Sequence, residues 1–268
     1  MKNVYAHITT VNSTTGNLGD MMGFHIADHI LGDGAYRRLG IRSKDDVPGG
    51  TVALVGSLIA ALTHAPCRIV GGGLINGSRR VYGPEFRAEA VRGFLTQTIL
   101  ARDAGQTPEV IGDPGLLLSD LQPMRAAEGR QRLGFIIHAV DREEFVARYP
   151  EHEADIIDNY GGISEFVDQL SRYDAVASTS LHGCIFAHSY GIPVAPFVLT
   201  DKVFGGDFKF RDHYSALGID VRRTPLEGTS EDMLRTVQRT VQPSAQQIQR
   251  LKARQWEAIR EALGTIGR

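Results

Sequence analysis

Residues 174–198 read DAVASTSLHGCIFAHSYGIPVAPFV, and this stretch decides the fold class. A short apolar run, 175–177, enters a polar elbow, Ser178-Thr179-Ser180-Leu181-His182-Gly183. Small residues then favour a helix over 184–190, Gly191-Ile192-Pro193 stops it, and a second apolar run continues to Val198. Strand, loop, helix, strand is the βαβ unit of a parallel sheet. The elbow falls at the carboxyl end of a strand, where open α/β sheets bind their ligands. It sets a histidine and several hydroxyls at a helix N-terminus, whose unpaired N–H groups and positive dipole end favour an anion. A phosphorylated or carboxylated small molecule is the expected ligand.

Outward from this unit the same alternation repeats. Strands are expected over 4–8, 51–55 and 68–70, the last running into Gly71-Gly72-Gly73. Gly16-Asn17-Leu18-Gly19-Asp20 leads into a helix over 21–31. A helix over 94–104 precedes a strand at 110–111, and 113–130 reads as a crossover opening on a Gly-Asp-Pro-Gly turn. A new strand over 133–140 and a helix over 162–171 restart the pattern. Two half-sized α/β units facing each other across a cleft are the expected architecture, divided as 1–125 and 126–242. A final helix within 243–268 starts at Ser244, with Gln247 three residues on as in a capping box. Its apolar face, Ile248, Leu251, Ile259 and Leu263, must be covered, and packing back across the first unit would cover it.

Composition excludes several classes. The 268 residues carry a formal charge of −2, so no bulk attraction to nucleic acid exists. Cys67 and Cys184 are too far apart for a metal-binding pair, and two cysteines make no disulfide framework. The opening MKNVYAHITT reads as a strand rather than a leader. No apolar run approaches the roughly 18–20 residues of a membrane span. A soluble cytoplasmic protein is expected. His25, Asp28 and His29 have helical spacing but not the His-Glu-x-x-His pattern, so no metal is expected there.

Several separated signals, in order, sharpen this. They are Gly16-Asn17-Leu18-Gly19-Asp20, Gly71-Gly72-Gly73, Val91-Arg92-Gly93 with Thr96, Gly112-Asp113-Pro114, and Ser180-Leu181-His182-Gly183 with Ala187, Gly191-Ile192-Pro193 and Lys202. Together they resemble the polysaccharide pyruvyl transferase family, in its succinoglycan-type form, over almost the whole chain. The resemblance implies two Rossmann-like domains in a GT-B-like arrangement. It also implies transfer of the pyruvyl group of phosphoenolpyruvate onto a sugar of a surface polysaccharide precursor, as a ketal, with release of phosphate. A lipid-linked oligosaccharide acceptor at the inner membrane face would fit, with peripheral membrane association. No cofactor beyond the donor substrate is implied. Many members have an arginine where this chain has Ser180, which shifts the expected cation role to Arg92 and Lys202.

On this resemblance His182 is the expected acid or phosphate-side donor and Asp20 the expected base. Arg92, Lys202, Ser180, Leu181, Gly183, Asn17, Gly19, Gly72 and Gly73 are expected to line the substrate site. Loss of His182 or Arg92 is expected to abolish turnover with the fold intact. Plainer roles stand beside each. His182 could tie the elbow to backbone, Asp20 could favour a helix start, and Arg92 could pair with Glu89 or another carboxylate. The glycine triplet could be a tight turn, since it lacks the Lys-Ser/Thr ending of a P-loop. Lys202 could be a solvated loop residue. A two-Rossmann glycosyltransferase using a nucleotide sugar and an inactive sugar-binding relative are the rival functions. No acidic residue between 178 and 200 is present to hold a nucleotide sugar, which weighs against the first.

Overall fold

The computed structural model describes residues 2–5, 16–39, 47, 49–63, 65–78, 80–83, 85–125 and 127–264. Residues 6–8 of the expected first strand, residue 126 and the tail 265–268 lie outside them. The chain is α/β with two parallel sheets. The first contains β1 (Lys2–Tyr5), β2 (Tyr36–Leu39), β3 (Thr51–Ala53), β4 (Cys67–Gly72), β5 (Arg87–Val91) and β6 (Val110–Ile111), in the order β2-β1-β3-β4-β5-β6. The second contains β7 (Gly134–Ile136), β8 (Val176–Ser178), β9 (Val194–Val198) and β10 (Thr224–Pro225), in the order β10-β9-β8-β7. Every pairing between these strands is parallel.

Helices lie in most of the connections between these parallel strands. They are α1 (Leu18–Leu31), α2 (Ile59–Leu62), α3 (Phe94–Ala104), α4 (Leu118–Leu121), α5 (Ala139–Arg148), α6 (Ile163–Leu170), α7 (Leu181–Ser189), α8 (Phe208–Ala216), α9 (Ser230–Arg239) and α10 (Ala245–Gly264). Two boundaries differ from the sequence reading in ways that shape the site. The strand expected over 133–140 ends at Ile136, because His138 turns out of the sheet and caps α5. The helix expected from residue 184 starts three residues earlier, because Ser180 is its N-cap and its hydroxyl accepts from the Gly183 N–H at 3.4 Å. His182 therefore sits in the first helical turn, not in the loop before it. Asn17 likewise starts α1 three residues before the expected position.

A buried core runs from the first sheet into the second. It joins Leu18, Met22 and Phe24 of α1 and Val70 of β4 to Ile136, Val176, Phe186 and Val194. Helix α10 contributes Ile248, Leu251, Ile259 and Leu263 to this core, as its stripe required, and packs on β4, β5 and β6 of the first sheet. Ser244 and Gln247 form the expected reciprocal cap, with the Ser244 N–H donating to Gln247 Oε1 at 2.8 Å and the Gln247 N–H to Ser244 Oγ at 3.2 Å. Gln255 Nε2 donates to the Gly112 carbonyl at 2.7 Å, and Lys252 pairs with Asp120.

Candidate functional site

The starts of three helices meet at one cavity of about 600 Å³. Asn17 and Asp20 line it from α1, His138, Ala139 and Val140 from α5, and Ser180, Leu181 and His182 from α7. Local hydrogen bonds fix these starts relative to one another. Asn17 Oδ1 accepts from the Gly19 N–H at 2.8 Å, and the Leu18 N–H donates to the Asn159 carbonyl at 2.8 Å. The His138 N–H donates to Thr179 Oγ1 at 2.8 Å, tying the cap of α5 to the elbow of α7. The Ser178 hydroxyl accepts from the Ser180 N–H at 3.1 Å and donates to the Ile136 carbonyl at 2.9 Å. Each helix brings the positive end of its dipole, so their convergence makes a region of positive potential.

Gly19 explains how α1 and α7 come so close. A Cβ at this position would overlap the His182 imidazole. The glycine is therefore needed for close approach, and the ring is held against α1 on one side and stacked on Phe186 at 5.8 Å on the other. Asn17, Asp20, Ser180, Leu181, His182 and Lys202 all line the cavity, as expected of site residues. Gly19 and Gly183 support it from behind. Gly183 packs against Ser178 and Ile136 with no room for a side chain.

Arg92, Gly72 and Gly73 sit elsewhere. Arg92 is fully buried at 0 % exposure and does not line the cavity. Its Nε donates to Asp212 Oδ2 at 2.9 Å, its Nη1 to Ser57 Oγ at 2.8 Å, and its Nη2 to the Leu74 carbonyl. Glu89 pairs with Arg68, so of the carboxylate partners expected for Arg92 it is another, Asp212, that pairs with it. Gly73 lies against the Arg92 guanidinium, where any side chain would overlap it. Gly73 thus makes room for Arg92, while Gly72 packs against Ile69 and Leu58, and the expected substrate contact gives way to an internal ion pair. Asp212 also accepts from the Thr96 N–H at 2.8 Å and from Thr96 Oγ1 at 2.7 Å. It caps α3 from a distance of more than a hundred residues, which explains Thr96 in the sequence pattern. Arg92 reaches the cavity only through Ser57, which lines it.

Four polar lining residues escaped the sequence reading: Ser57, His138, Tyr160 and Lys209. His138 Nδ1 accepts from the Val140 N–H at 3.3 Å, and burial, helped by Lys209, pushes its pKa down to about 4. Burial of Lys209, with repulsion from Arg92 and Arg223, brings its pKa down to about 8, while Asp20 and Asp141 pull the other way. Burial raises the Tyr160 hydroxyl above its usual value. The signal for Lys209 was faint: one lysine between two aromatic residues, Phe208 and Phe210, in a segment with no assigned element. Ile75, Val140 and Phe204 add an apolar side, and Phe204 is 64 % exposed. Asp28, from the rejected metal pattern, accepts from Tyr36 and Arg38 instead.

Residues 79–200 match the polysaccharide pyruvyl transferase family. The matched pyruvyl transferase segment contains Arg92, His138, Ser180 and His182, while Asn17, Asp20, Lys202 and Lys209 lie outside it. The chain is also similar to an uncharacterized protein of Acanthamoeba polyphaga mimivirus, 33 % identical over 175 residues. That alignment covers 62 % of this chain and 60 % of the viral protein. No solved structure matches. Among the described residues no helix is long and apolar enough to cross a membrane.

Proposed function

We propose that the chain is a polysaccharide pyruvyl transferase that moves the pyruvyl group of phosphoenolpyruvate onto two hydroxyls of a sugar. The observation that carries this reading is the meeting of three helix N-termini with His182 and two lysines at one cavity, in a chain whose central segment matches that family. Phosphoenolpyruvate presents a carboxylate and a phosphate, and such a donor needs fixed positive potential rather than a flexible surface charge.

The chemistry assigns each group a task. His182 delivers a proton to the methylene carbon, which becomes the methyl group, and positive charge develops on the adjacent carbon. A sugar hydroxyl attacks that carbon and loses its proton to Asp20. A second hydroxyl then displaces phosphate, and its proton leaves with the phosphate. The helix ends and lysines neutralise the departing dianion, so the step asks for no metal. In this reading residues 1–125 and 126–242 act as two Rossmann-like units of a GT-B-like cytoplasmic enzyme. The first holds the acceptor, and the second holds the donor.

Incubating the protein with phosphoenolpyruvate and a panel of sugar and lipid-linked acceptors tests the assignment. Release of inorganic phosphate with a gain of the pyruvyl ketal mass on the acceptor is expected. Release of a nucleoside diphosphate from a nucleotide sugar, with no phosphate from phosphoenolpyruvate, would overturn it.

A further inference from the structure

We infer that Lys209 and His138 together hold the anionic head of the donor, Lys209 as the cation and His138 through its Nε2–H. The inference rests on the reading above and adds two residues that the sequence pattern did not single out.

Lys209 is only 7 % exposed, yet it lines the cavity. Its ammonium makes no hydrogen bond or ion pair with any described residue. The ring of the adjacent Phe210 lies 5.7 Å away, and Asp20 and Asp141 attract the charge without an ion pair. Its position in the first turn of α8 is also unfavourable, because a cation there opposes the helix dipole. A buried, unpartnered cation at a helix start costs stability, and an anion entering the cavity would offset that cost. Arg92 cannot do this, since its donors are taken up by Asp212, Ser57 and Leu74.

His138 complements the lysine. Its Nδ1 accepts from the Val140 N–H, which leaves the ring hydrogen on Nε2. The imidazole is a donor of fixed tautomer at the N-cap of α5, and the positive dipole end of the same helix lies at the cavity. A cation, a neutral donor and helix ends around one space suit a phosphate or carboxylate group rather than a neutral sugar.

The test measures binding of phosphoenolpyruvate, and separately of inorganic phosphate, by titration calorimetry without acceptor. Lys209→Met should weaken both by about 10- to 100-fold. His138→Asn keeps a good N-cap but loses the Nε2 donor, and should weaken both by about 3- to 10-fold. Circular dichroism melts serve as the fold control. In the wild type, binding should weaken as pH rises through about 8, a range in which phosphate esters are already fully ionised. Lys209→Met should lose that dependence. The other charged groups acting on Lys209 are Asp20 from α1, Asp141 beside it on α5, Arg92, and Arg223.

If phosphoenolpyruvate binds and Lys209→Met binds it equally, the inference fails while the function stands. If only inorganic phosphate binds, and Lys209→Met loses it, the inference stands and the pyruvyl reading fails. No binding of either anion by the wild type overturns both.

Discussion

Two glycine-bearing strand ends look alike in the sequence and differ in what fills them. At the end of β4, Gly73 of the triplet leaves a space that the Arg92 guanidinium occupies, with Asp212 opposite it. At the end of β8, Ser180-Leu181-His182-Gly183 begins α7 and opens on the cavity. In both places glycine permits close approach. At β4 the chain supplies its own cation and closes the space. At β8 the helix end and His182 are left facing a cavity that can take a guest. Glycines at strand ends therefore report tight packing, and only the far side of that packing tells whether a ligand fits.

The largest effect should come from opening the closed end. Arg92→Ala leaves the Asp212 carboxylate buried and unpaired, which costs roughly 3–5 kcal/mol. Thermal and denaturant unfolding should show that loss, so turnover would fall because the fold fails, contrary to the sequence expectation of an intact variant. A melting temperature like the wild type's would mean that Arg92 is not the packing element described.

At the open end, His182→Ala should leave the melt nearly unchanged while phosphate release from phosphoenolpyruvate falls about 10²- to 10⁴-fold, the usual range for an acid or base. Turnover within tenfold of wild type would remove His182 from proton transfer. Gly19→Ala sits between the two cases. Overlap with the imidazole should cost about 1–3 kcal/mol and also displace the ring, so stability and turnover should drop together.

Lys209→Met should act in the opposite sense on stability. The folded state lowers the lysine pKa from 10.5 to about 8. Protonation is therefore disfavoured by folding, and the penalty is fully present below about pH 8 and fades as pH rises toward 10.5. Removing the amine should stabilise the ligand-free protein by up to about 3 kcal/mol at pH 7, with the gain shrinking by pH 10. Denaturant curves at the two pH values would show it. An equal gain at both would trace the effect to packing instead. The smallest effect is expected for Ser180→Ala, which removes a long capping bond and should cost about 0.5–1 kcal/mol in the same unfolding assay.

Much of this was legible in the sequence because it is local. The βαβ unit around 174–198, the α3 boundaries and the Ser244–Gln247 cap all depend on residues within a few positions of one another. His182, Asp20 and Lys202 follow strand ends or open helices, and that local position puts them on the cavity lining. Arg92 misled because its partner is 120 positions away and a cation in a glycine-rich pattern looks like a ligand contact. Lys209 and His138 were missed for a related reason. Helices α5 and α8 carry a mixture of charged and apolar residues without a clear stripe, and nothing local marks which lysine will be buried. Edge strand β2, with two exposed arginines in four residues, was hidden in the same way.

Helix α10 has a consequence for how the protein is made. It lies across strands formed from residues 67–111, yet its first residue, Ala245, is made long after Ile111. The β4–β6 surface thus waits bare while the residues between them are made, at about 5–20 residues per second. A chaperone that shields apolar surface would have a long window of engagement there.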